Sequence, residues 1–553
     1  MIGTGKANRC LALITIVIII FAISGCMSLA PDRSSPPSRQ NTQSQPALSK
    51  TTKIPPLTLE NYQKPPEMVD PDELLGFSDV AWRTFVTLNW PSDCNGIPLA
   101  DKTLGEVPAA PRVWESYRTP EEVFLENGTE PERPQPDQCA RQGDRKIQKA
   151  KTIPLDLTEG RGLVSPQEFE NIQKKLAQSP ANRGVVGNPA QNPQSLTDIP
   201  LIDRQGNYVL IETRLNPDEF RQIFENKWYK AESFKDYRND PDSKDPINKP
   251  IKRFQFASTV ASSIADSMTI YKETTDRPSS PWTGAPIEIK AAWRVFNNCD
   301  GGTNPTQAQQ SCKRYYTTKR ELAIPASQYA PTPGDDCVKD GVCKTTVEVG
   351  LIGFHILYKV PNQVNKATPG WIWATFEQVD NLANSHLSTL LFDPTDRDCS
   401  IDPPAPDYLW QKSFPHAVRD RQFTAHLPTP VVRCETSKPL ATERDPLQHQ
   451  NQIWQTAFNN TNADSPWQYY QLNGVEWLSS PKDVLWEGKP WSEMLNKIQE
   501  GIAQGPLVNV TMEAYAQTDT VIGNKCIACH LRQAKLPHSG AFSDFSFLLS
   551  HAK

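Results

Sequence analysis

The pentapeptide Cys526-Ile527-Ala528-Cys529-His530 constrains this chain more than any other stretch of its sequence. Two cysteines three residues apart, followed at once by a histidine, form the attachment sequence for c-type haem. Residues three and four apart share one face of a helix, so Cys526, Cys529 and His530 can approach one macrocycle together. The two thiols then bond to the haem, and the His530 imidazole takes one axial position on the iron. The motif therefore predicts one covalent haem c.

Two other kinds of site could use the same residues. A zinc half-site needs a second Cys or His pair at finger spacing, and none follows His530 in the sequence. A disulfide between Cys526 and Cys529, with His530 as a bystander, is the other alternative. In c-type haem proteins as a class, attachment takes place outside the cytoplasm, so the haem prediction depends on export.

Residues 1–25 have the pattern of an export signal. Two basic residues precede an apolar run at 11–23, which is short for a membrane span. Ile23-Ser24-Gly25-Cys26 resembles the bacterial lipobox, in which cleavage leaves Cys26 as the first, lipid-bearing residue; an uncleaved anchor is the alternative. Both place the protein in the cell envelope. The resemblance to lipoproteins, with Met27 after the cysteine, implies a lipid anchor in the outer membrane facing the periplasm.

Composition predicts how the rest of the chain is organised. Residues 26–70 are rich in Pro, Ser and Gln, which predicts a disordered tether. We expect a large body at 71–480, one domain or two, and a C-terminal haem segment at 481–553. Fifty prolines among 553 residues favour loops over long helices. A net charge of -5 without a basic cluster argues against nucleic-acid binding.

The chain has twelve cysteines, and export makes disulfide bonds possible. Cys10 lies in the signal, and the lipid and haem sites account for three more. The remaining even number allows 105 connectivities. The simplest prediction pairs sequence neighbours, each closing a loop rich in turn-forming residues: Cys94–Cys139, Cys299–Cys312, Cys337–Cys343 and Cys399–Cys434.

Local patterns predict an α+β, loop-rich body around a mixed or antiparallel sheet. Runs of β-branched and aromatic residues at 287–296, 347–360 and 371–379 indicate central strands. A turn signal predicts a hairpin at 201–213. A short helix is predicted within 166–176.

Helix start signals occur at three places in the body. Ser78 is the predicted N-cap of a helix that ends at Leu88, with an apolar stripe of Phe77, Ala81, Phe85 and Leu88. Thr119 and Asn216 precede the other two predicted helices. An aromatic-dense region follows later, and its members are predicted to cover a large hydrophobic cofactor: Trp454, Trp467, Tyr469, Tyr470, Trp477, Trp486 and Trp491.

The sequence leaves the second axial position of the iron open. Met512 or Met494 could supply a thioether, which raises the reduction potential. His538 or His551 could supply a second imidazole, and an open position is the remaining alternative. The sequence has no methionine after Met512.

Three further polar groups have both structural and functional interpretations. His355 lies in the strongest predicted strand, where a histidine is more often a core residue than an iron ligand or an acid/base group. Glu377 and Asp380, close to His386, are better interpreted as strand-end and turn residues than as a metal site.

Stretches around the motif resemble a known group of proteins. LVNVTMEAYAQ at 507–517, the motif itself and AFSDFSFLLSHA at 541–552 resemble the tail of large, single-haem bacterial proteins of the cytochrome c family. AWRTFVTLNWP, IEIKAAWRVF and WIWATFEQVDN look like recurring blocks of that group. The resemblance implies a haem and an envelope location, and no particular reaction.

The predicted function is electron transfer, with a periplasmic redox partner that the sequence does not identify. One alternative is a haem-dependent oxidoreductase acting on peroxide or oxygen, with His538 or His355 as a distal acid/base group. Another is a binding or sensor protein in which haem is structural. No oligomeric state follows from the sequence.

Overall fold

The structure is a computed structural model, and it describes the residues of several separate ranges. These are residues 54, 56–62, 74–93, 95–106, 110–132, 154–156, 202–203, 209–237, 254, 256, 285–296, 312–325, 336–337, 342–359, 371–381, 391–393, 429–430, 441–478, 502–503, 507, 509–512 and 526–553. The predicted signal, Cys26, Met494 and the predicted helix at 166–176 lie outside them.

The described segments form strands and a smaller number of helices. The strands in chain order are β1 (Pro154–Asp156), β2 (Ile202–Asp203), β3 (Leu210–Leu215), β4 (Ile287–Phe296), β5 (Thr317–Pro325), β6 (Asp336–Cys337), β7 (Val342–Lys359), β8 (Trp371–Gln378), β9 (Leu391–Asp393), β10 (Thr429–Pro430), β11 (Tyr470–Leu478) and β12 (Ile502–Ala503). The helices are α1 (Leu74–Leu88), α2 (Pro120–Val123), α3 (Pro217–Glu225), α4 (Ala441–Thr461) and α5 (Cys526–Gln533).

The 18-residue strand β7 is the centre of the large sheet. Gly350 of β7 pairs with β4 on one edge and with β5 on the other, whereas Gly353 pairs with β4 and β8. Strands β5 and β8 therefore share one edge of β7 end to end. Strand β3 extends the sheet beyond β4, and β11 and β12 extend it beyond β8.

Most strand pairs of this sheet are antiparallel, and β1 beside β5 is a parallel pair. A mainly antiparallel sheet with few helices agrees with the predicted α+β class at this coarse level. A second, three-stranded sheet has the order β10-β9-β2.

The three predicted central strands are confirmed, and β7 begins five residues before its predicted start. The hairpin predicted at 201–213 is wrong, because β2 pairs with β9 and β3 pairs with β4. The turn signal between β2 and β3 is local, whereas both of their actual partners lie far along the chain.

Helix α1 carries the predicted apolar stripe, and all four of its members are buried. It begins at Leu74, so Ser78 is a buried residue within the helix and is not its N-cap. The starts of α2 and α3 are confirmed. Thr119 Oγ1 accepts from the Glu122 amide, and Asn216 Oδ1 accepts from the Glu219 amide.

The large sheet has two buried faces. Ile289, Phe354 and Phe376 point to the helix-covered face, where they join a core with side chains of α1 and α4. Leu357 and Trp373 point to the opposite face, which is covered by side chains of residues 507 and 527–552 and is called the tail-covered face below.

The aromatic-dense region does not surround the haem motif. Trp454, Trp467, Tyr470 and Trp477 belong to the core on the helix-covered face, whereas Cys526 and Ile527 belong to the cluster on the tail-covered face. The prediction that these aromatic residues cover a cofactor is therefore wrong for these four. Helix α4 was not predicted, and its aromatic residues pack against α1: Trp454 stacks on Trp82 with ring centroids 5.6 Å apart.

The packed body begins earlier than composition predicts. Leu57 and Tyr62 are buried against the core, although both fall in the stretch assigned to the tether. The Tyr62 ring lies edge-on to Trp454, and its carbonyl accepts a hydrogen bond from Thr87. Residues 54–553 belong to one compact unit.

Two of the predicted disulfide pairs fall partly or wholly on described residues. Cys312 is disulfide-bonded. In the antiparallel pair of β6 and β7, Cys337 lies directly opposite Cys343. Directly opposed α-carbons are about 4.5–5.5 Å apart, within the range a disulfide spans. Cys94, Cys139, Cys299, Cys399 and Cys434 lie outside the described residues, and the connectivity stays a prediction.

Among the described helices, none combines the length and the apolar character needed to cross a membrane.

Candidate haem attachment site

Helix α5 begins at the first cysteine of the motif, as the spacing predicts. Ile527 and Leu531, four residues apart, are fully buried in the cluster on the tail-covered face and anchor the helix there. Cys526 and His530 project from a neighbouring stripe of the helix and are only partly buried. The helix therefore packs through one stripe and presents its motif residues on another. The structure does not describe the side chain of Cys529.

The start of α5 is bonded to the sheet by a buried carboxylate. Glu476 of β11 accepts a hydrogen bond from the Ile527 amide over 3.0 Å. The first amides of a helix have no partner within the helix and carry its positive dipole end, so an acidic acceptor suits this place. The Cys526 thiol donates to the Leu507 carbonyl over 3.2 Å.

The His530 ring has a hydrogen bond that fixes its tautomer. Its Nδ1 atom lies 2.7 Å from the backbone oxygen of Phe545. A carbonyl oxygen can only accept, so Nδ1 carries the proton. In a neutral imidazole, Nε2 is then the nitrogen with a free electron pair, which is the form that binds a metal ion.

Aromatic side chains hold the His530 ring on two sides. Trp373 of β8 lies edge-on to it with ring centroids 5.7 Å apart, and Phe547 lies 4.6 Å away. Phe545 in turn packs against Trp373. This packing restricts rotation of the imidazole about its side-chain bonds.

The carbonyl that meets His530 lies in a turn of unusual backbone conformation. Asp544 and Phe545 have φ angles of 54° and 69°, in the left-handed region that non-glycine residues rarely adopt. Such residues persist where the surrounding structure imposes the conformation, and they are frequent at functional sites. The conformation directs the Phe545 carbonyl toward α5.

A buried ion pair holds this turn on the sheet. The Asp544 carboxylate meets the ammonium group of Lys359 at the end of β7, and it also accepts from the Phe256 amide over 2.9 Å. Burial raises the pKa of Asp544 and lowers the pKa of Lys359, although each partner favours the charged form of the other. Both groups are nearly inaccessible to solvent, so the pair depends on its mutual contact.

The candidates for the second axial ligand lie in different places. Met512 is fully buried with Cys312 and Phe296, in a cluster separate from the one that holds α5. His538 is exposed in a loop with a left-handed backbone. Nearby, the hydrogen bond and the charge of Lys235 lower the pKa of Glu232, and His538 adds a smaller effect in the same direction. His551 packs beside Phe124.

His355 is buried in β7, where its strand neighbours are Lys290 and Thr375. Its position in the strand alternation is that of Leu357, so it lies on the tail-covered face. Glu377 accepts from the Val510 amide, and Asp380 forms an ion pair with Arg314. Both contacts are structural. His386 lies outside the described residues.

Comparison with known proteins finds no match. This holds for protein families, for curated proteins and for solved structures alike. The resemblance to single-haem proteins of the cytochrome c family therefore stays a prediction. Among the described side chains, no group of three or more Cys, His, Asp or Glu residues is placed to hold a metal ion.

Sequence reasoning located the motif but missed the residues that support it. Glu476, Trp373 and the Phe545 carbonyl come from two strands and a turn that no local pattern connects with Cys526-Ile527-Ala528-Cys529-His530. The run from Asp544 to Phe545 has no glycine or asparagine to indicate a left-handed turn.

Proposed function

We propose that Cys526, Cys529 and His530 hold one covalent haem c, and that the protein transfers electrons in the bacterial cell envelope. Lipid on Cys26 would anchor it to the membrane. The bound haem supplies an iron that changes between its ferric and ferrous forms. The hydrogen bond from His530 Nδ1 to the Phe545 carbonyl is the observation that carries this proposal.

That hydrogen bond has the form expected of a metal-binding histidine. Such residues donate their second ring nitrogen to a carbonyl or carboxylate, which fixes the tautomer and makes the ligating nitrogen more basic. A disulfide with His530 as a bystander would not call for this orientation of the imidazole. A zinc site would, but the sequence lacks a second Cys or His pair at finger spacing after His530.

The apolar packing around His530 supports an axial role as well. Trp373 and Phe547 hold the ring edge-on, so it need not lose rotational freedom when it binds the iron. Apolar packing of this kind also influences the reduction potential of a haem.

The first test is a visible spectrum of protein made in cells that carry out c-type haem maturation. It is recorded oxidised, reduced, and reduced in the presence of carbon monoxide. We expect covalent haem absorbance and a reduced spectrum that carbon monoxide leaves unchanged, because an electron carrier has both axial positions filled. Absence of covalent haem would reject the proposal in favour of the zinc or disulfide alternative. Rapid carbon monoxide binding would favour the oxidoreductase.

Single substitutions then test the assigned ligand. His530→Ala is expected to lose the low-spin spectrum of the reduced protein, because one axial ligand is missing. His449→Ala, which removes an exposed histidine of α4, is the matched control. If His538→Ala changes the spectrum as much as His530→Ala does, His538 is the second ligand.

A further inference from the structure

Two glutamates are buried together beneath the turn that holds His530. Glu219 lies in the first turn of α3 and is fully buried. Glu288 of β4 is also buried, and its cross-strand neighbours are Leu215 and Leu357. Buried carboxyl groups are rare unless they are paired with a cation or hydrogen-bonded.

The closeness of these carboxyl groups favours a bound proton. Within the described residues, no N–H or O–H group donates to either carboxyl oxygen of Glu219. Burial raises the pKa of Glu219, and the neighbouring carboxyl group of Glu288 raises it further. Two adjacent carboxylates repel each other, so the pair favours a form in which at least one member is protonated.

The pair is joined to the turn next to His530. Glu288 also bonds the Ser546 side chain, and Ser546 directly follows Phe545, whose carbonyl meets His530. The other charged groups that face the pair in the described part are Lys359 at the end of β7 and Asp544 in the turn. These two form an ion pair with each other, so they leave the negative charge of the carboxyl pair largely uncompensated.

We propose that the Glu219–Glu288 pair takes up a proton when the haem iron is reduced, which makes this protein a proton-coupled electron carrier. This inference rests on the proposed function. In the coupled step, a one-electron donor reduces ferric to ferrous iron, and one proton from solvent adds to a carboxylate oxygen of the pair. Reoxidation by the acceptor returns the proton to solvent.

The chemistry of the pair suits such a step. Burial raises the pKa of Glu288 to about 7 and that of Glu219 well above its ordinary value, with the neighbouring Glu288 adding to the second effect. The two carboxyl groups therefore titrate as one coupled pair, whose burial favours the protonated form. Reduction adds a negative charge to a haem held by His530, which favours uptake of a proton by the pair. By reciprocity, the proton favours the ferrous state.

The test is a redox titration of the intact holoprotein, with the midpoint potential read from haem absorbance between about pH 5 and about pH 9. We expect the potential to fall as pH rises through the neutral range. The slope can reach about 59 mV per pH unit, the value for one proton per electron. In Glu288→Gln we expect this dependence to be lost. Glu225→Gln, an exposed glutamate of the same helix α3, should keep it.

A second measurement needs no variant that must fold. In the reduced-minus-oxidised infrared spectrum of the unmodified protein, we expect the carbonyl stretch of a protonated carboxyl group to increase on reduction. Covalent haem with a pH-independent potential and no such band would overturn the inference and leave the proposed function intact. The inference also fails if Glu219→Gln and Glu288→Gln both keep the full slope. Absence of covalent haem would overturn both proposals.

Discussion

The carboxylate of Glu476 determines how the helix that carries the motif begins. It is fully buried, and its bond to the Ile527 amide replaces a partner that the helix itself cannot supply. Its negative charge also meets the positive end of the helix dipole. A single side chain of the sheet therefore fixes the position of the first turn, and with it the position of Cys526.

Glu476→Ala should destabilise the protein by about 1–3 kcal/mol, because the Ile527 amide would be buried without its acceptor. The midpoint of chemical unfolding measures the loss. Glu476→Gln keeps an acceptor oxygen at the same place and should lose less. Equal losses for the two variants would show that the amide bond is not the stabilising contact.

The buried carboxyl groups predict a pH dependence of stability that does not require haem. The pKa of Glu288 is about 7 in the folded protein, above its ordinary value of 4.5. Between these values the folded state holds a proton that the unfolded state has lost, so stability falls as pH rises. Below about pH 4.5, protonated Glu288 makes its full contribution to the free energy of unfolding, about 3 kcal/mol. Unfolding of Glu288→Gln across this range should show a smaller decline, because Glu219, whose pKa burial also raises, keeps its own share. Glu225→Gln should retain the full decline.

At the residue scale, sequence could identify the reactive groups but not their supports. Spacing alone selects Cys526, Cys529 and His530, because the chemistry of attachment requires that order. The support for His530 comes from a backbone carbonyl, which has no sequence signature of its own. The pairing of Glu219 with Glu288 joins a helix start to a distant strand and is visible only in three dimensions.

At the scale of whole elements, specific polar contacts attach the described part of the segment from 507 onward to the sheet. Asn509 donates to the Thr375 hydroxyl and the Phe376 carbonyl, and Val510 donates to Glu377. Further along, the Lys359–Asp544 pair joins β7 to the turn beside His530. These polar contacts determine where the segment from 507 onward, which otherwise packs through apolar side chains, lies on the sheet.

Asp544→Asn should be strongly destabilising, by about 3–5 kcal/mol, because it leaves the Lys359 ammonium group buried without its counter-charge. Thermal unfolding of the variant measures the effect. Asp236→Asn removes an exposed carboxylate and is the control, for which little change is expected. A small effect of Asp544→Asn would mean that Lys359 loses its proton at little cost.

Gly353→Ala should displace the segment around Thr511. A Cβ atom at Gly353 would lie 2.0 Å from the Thr511 hydroxyl oxygen, far closer than atoms pack. Overpacking of this kind typically costs about 1–3 kcal/mol. Combining it with Thr511→Ala removes the clashing oxygen and should restore part of the stability in a denaturant titration. Failure of the double variant to recover would place the strain elsewhere.

Sequence predicted the elements whose signals are local and missed those that depend on partners. The runs at 287–296 and 371–379 are strands because β-branched and aromatic residues fit a buried, pleated surface. The caps at Thr119 and Asn216 act over three residues. By contrast, β2 precedes the central strand β7 in the chain and β9 follows it, so no local signal indicates that these two strands pair.

At the scale of the whole molecule, the haem motif is part of the same packed body as the sheet. Ile527, Leu531 and Leu549 are fully buried in a cluster that includes Trp371 and Trp373 of β8. Beyond α3, the Ala231 amide donates to the carbonyl of Lys553, and side chains of α3 belong to the same cluster. The motif helix, the sheet and α3 therefore depend on one another for burial.

A protein that ends at residue 505 should therefore fail to fold cooperatively, with or without haem. Its apolar face around Leu357 and Trp373 would be open to water, and extensive apolar exposure leads to aggregation. Near-ultraviolet circular dichroism and limited proteolysis, with the full chain as control, measure the outcome. A soluble fragment with a sharp unfolding transition would show instead that residues 507–553 are a detachable module.

The tail-covered face also has a consequence for the order of events during biogenesis. Residues 507–553 follow every described strand of the large sheet, so the strands are synthesised while this face still lacks its cover. Under the proposed function, the thiols of Cys526 and Cys529 would enter the envelope late, on a stretch of chain that has yet to dock. We expect the attachment of haem to the motif to compete with the docking of residues 507–553 on the sheet. A chain whose residues 507–553 dock before haem is attached would stay folded without haem, as a colourless by-product of maturation.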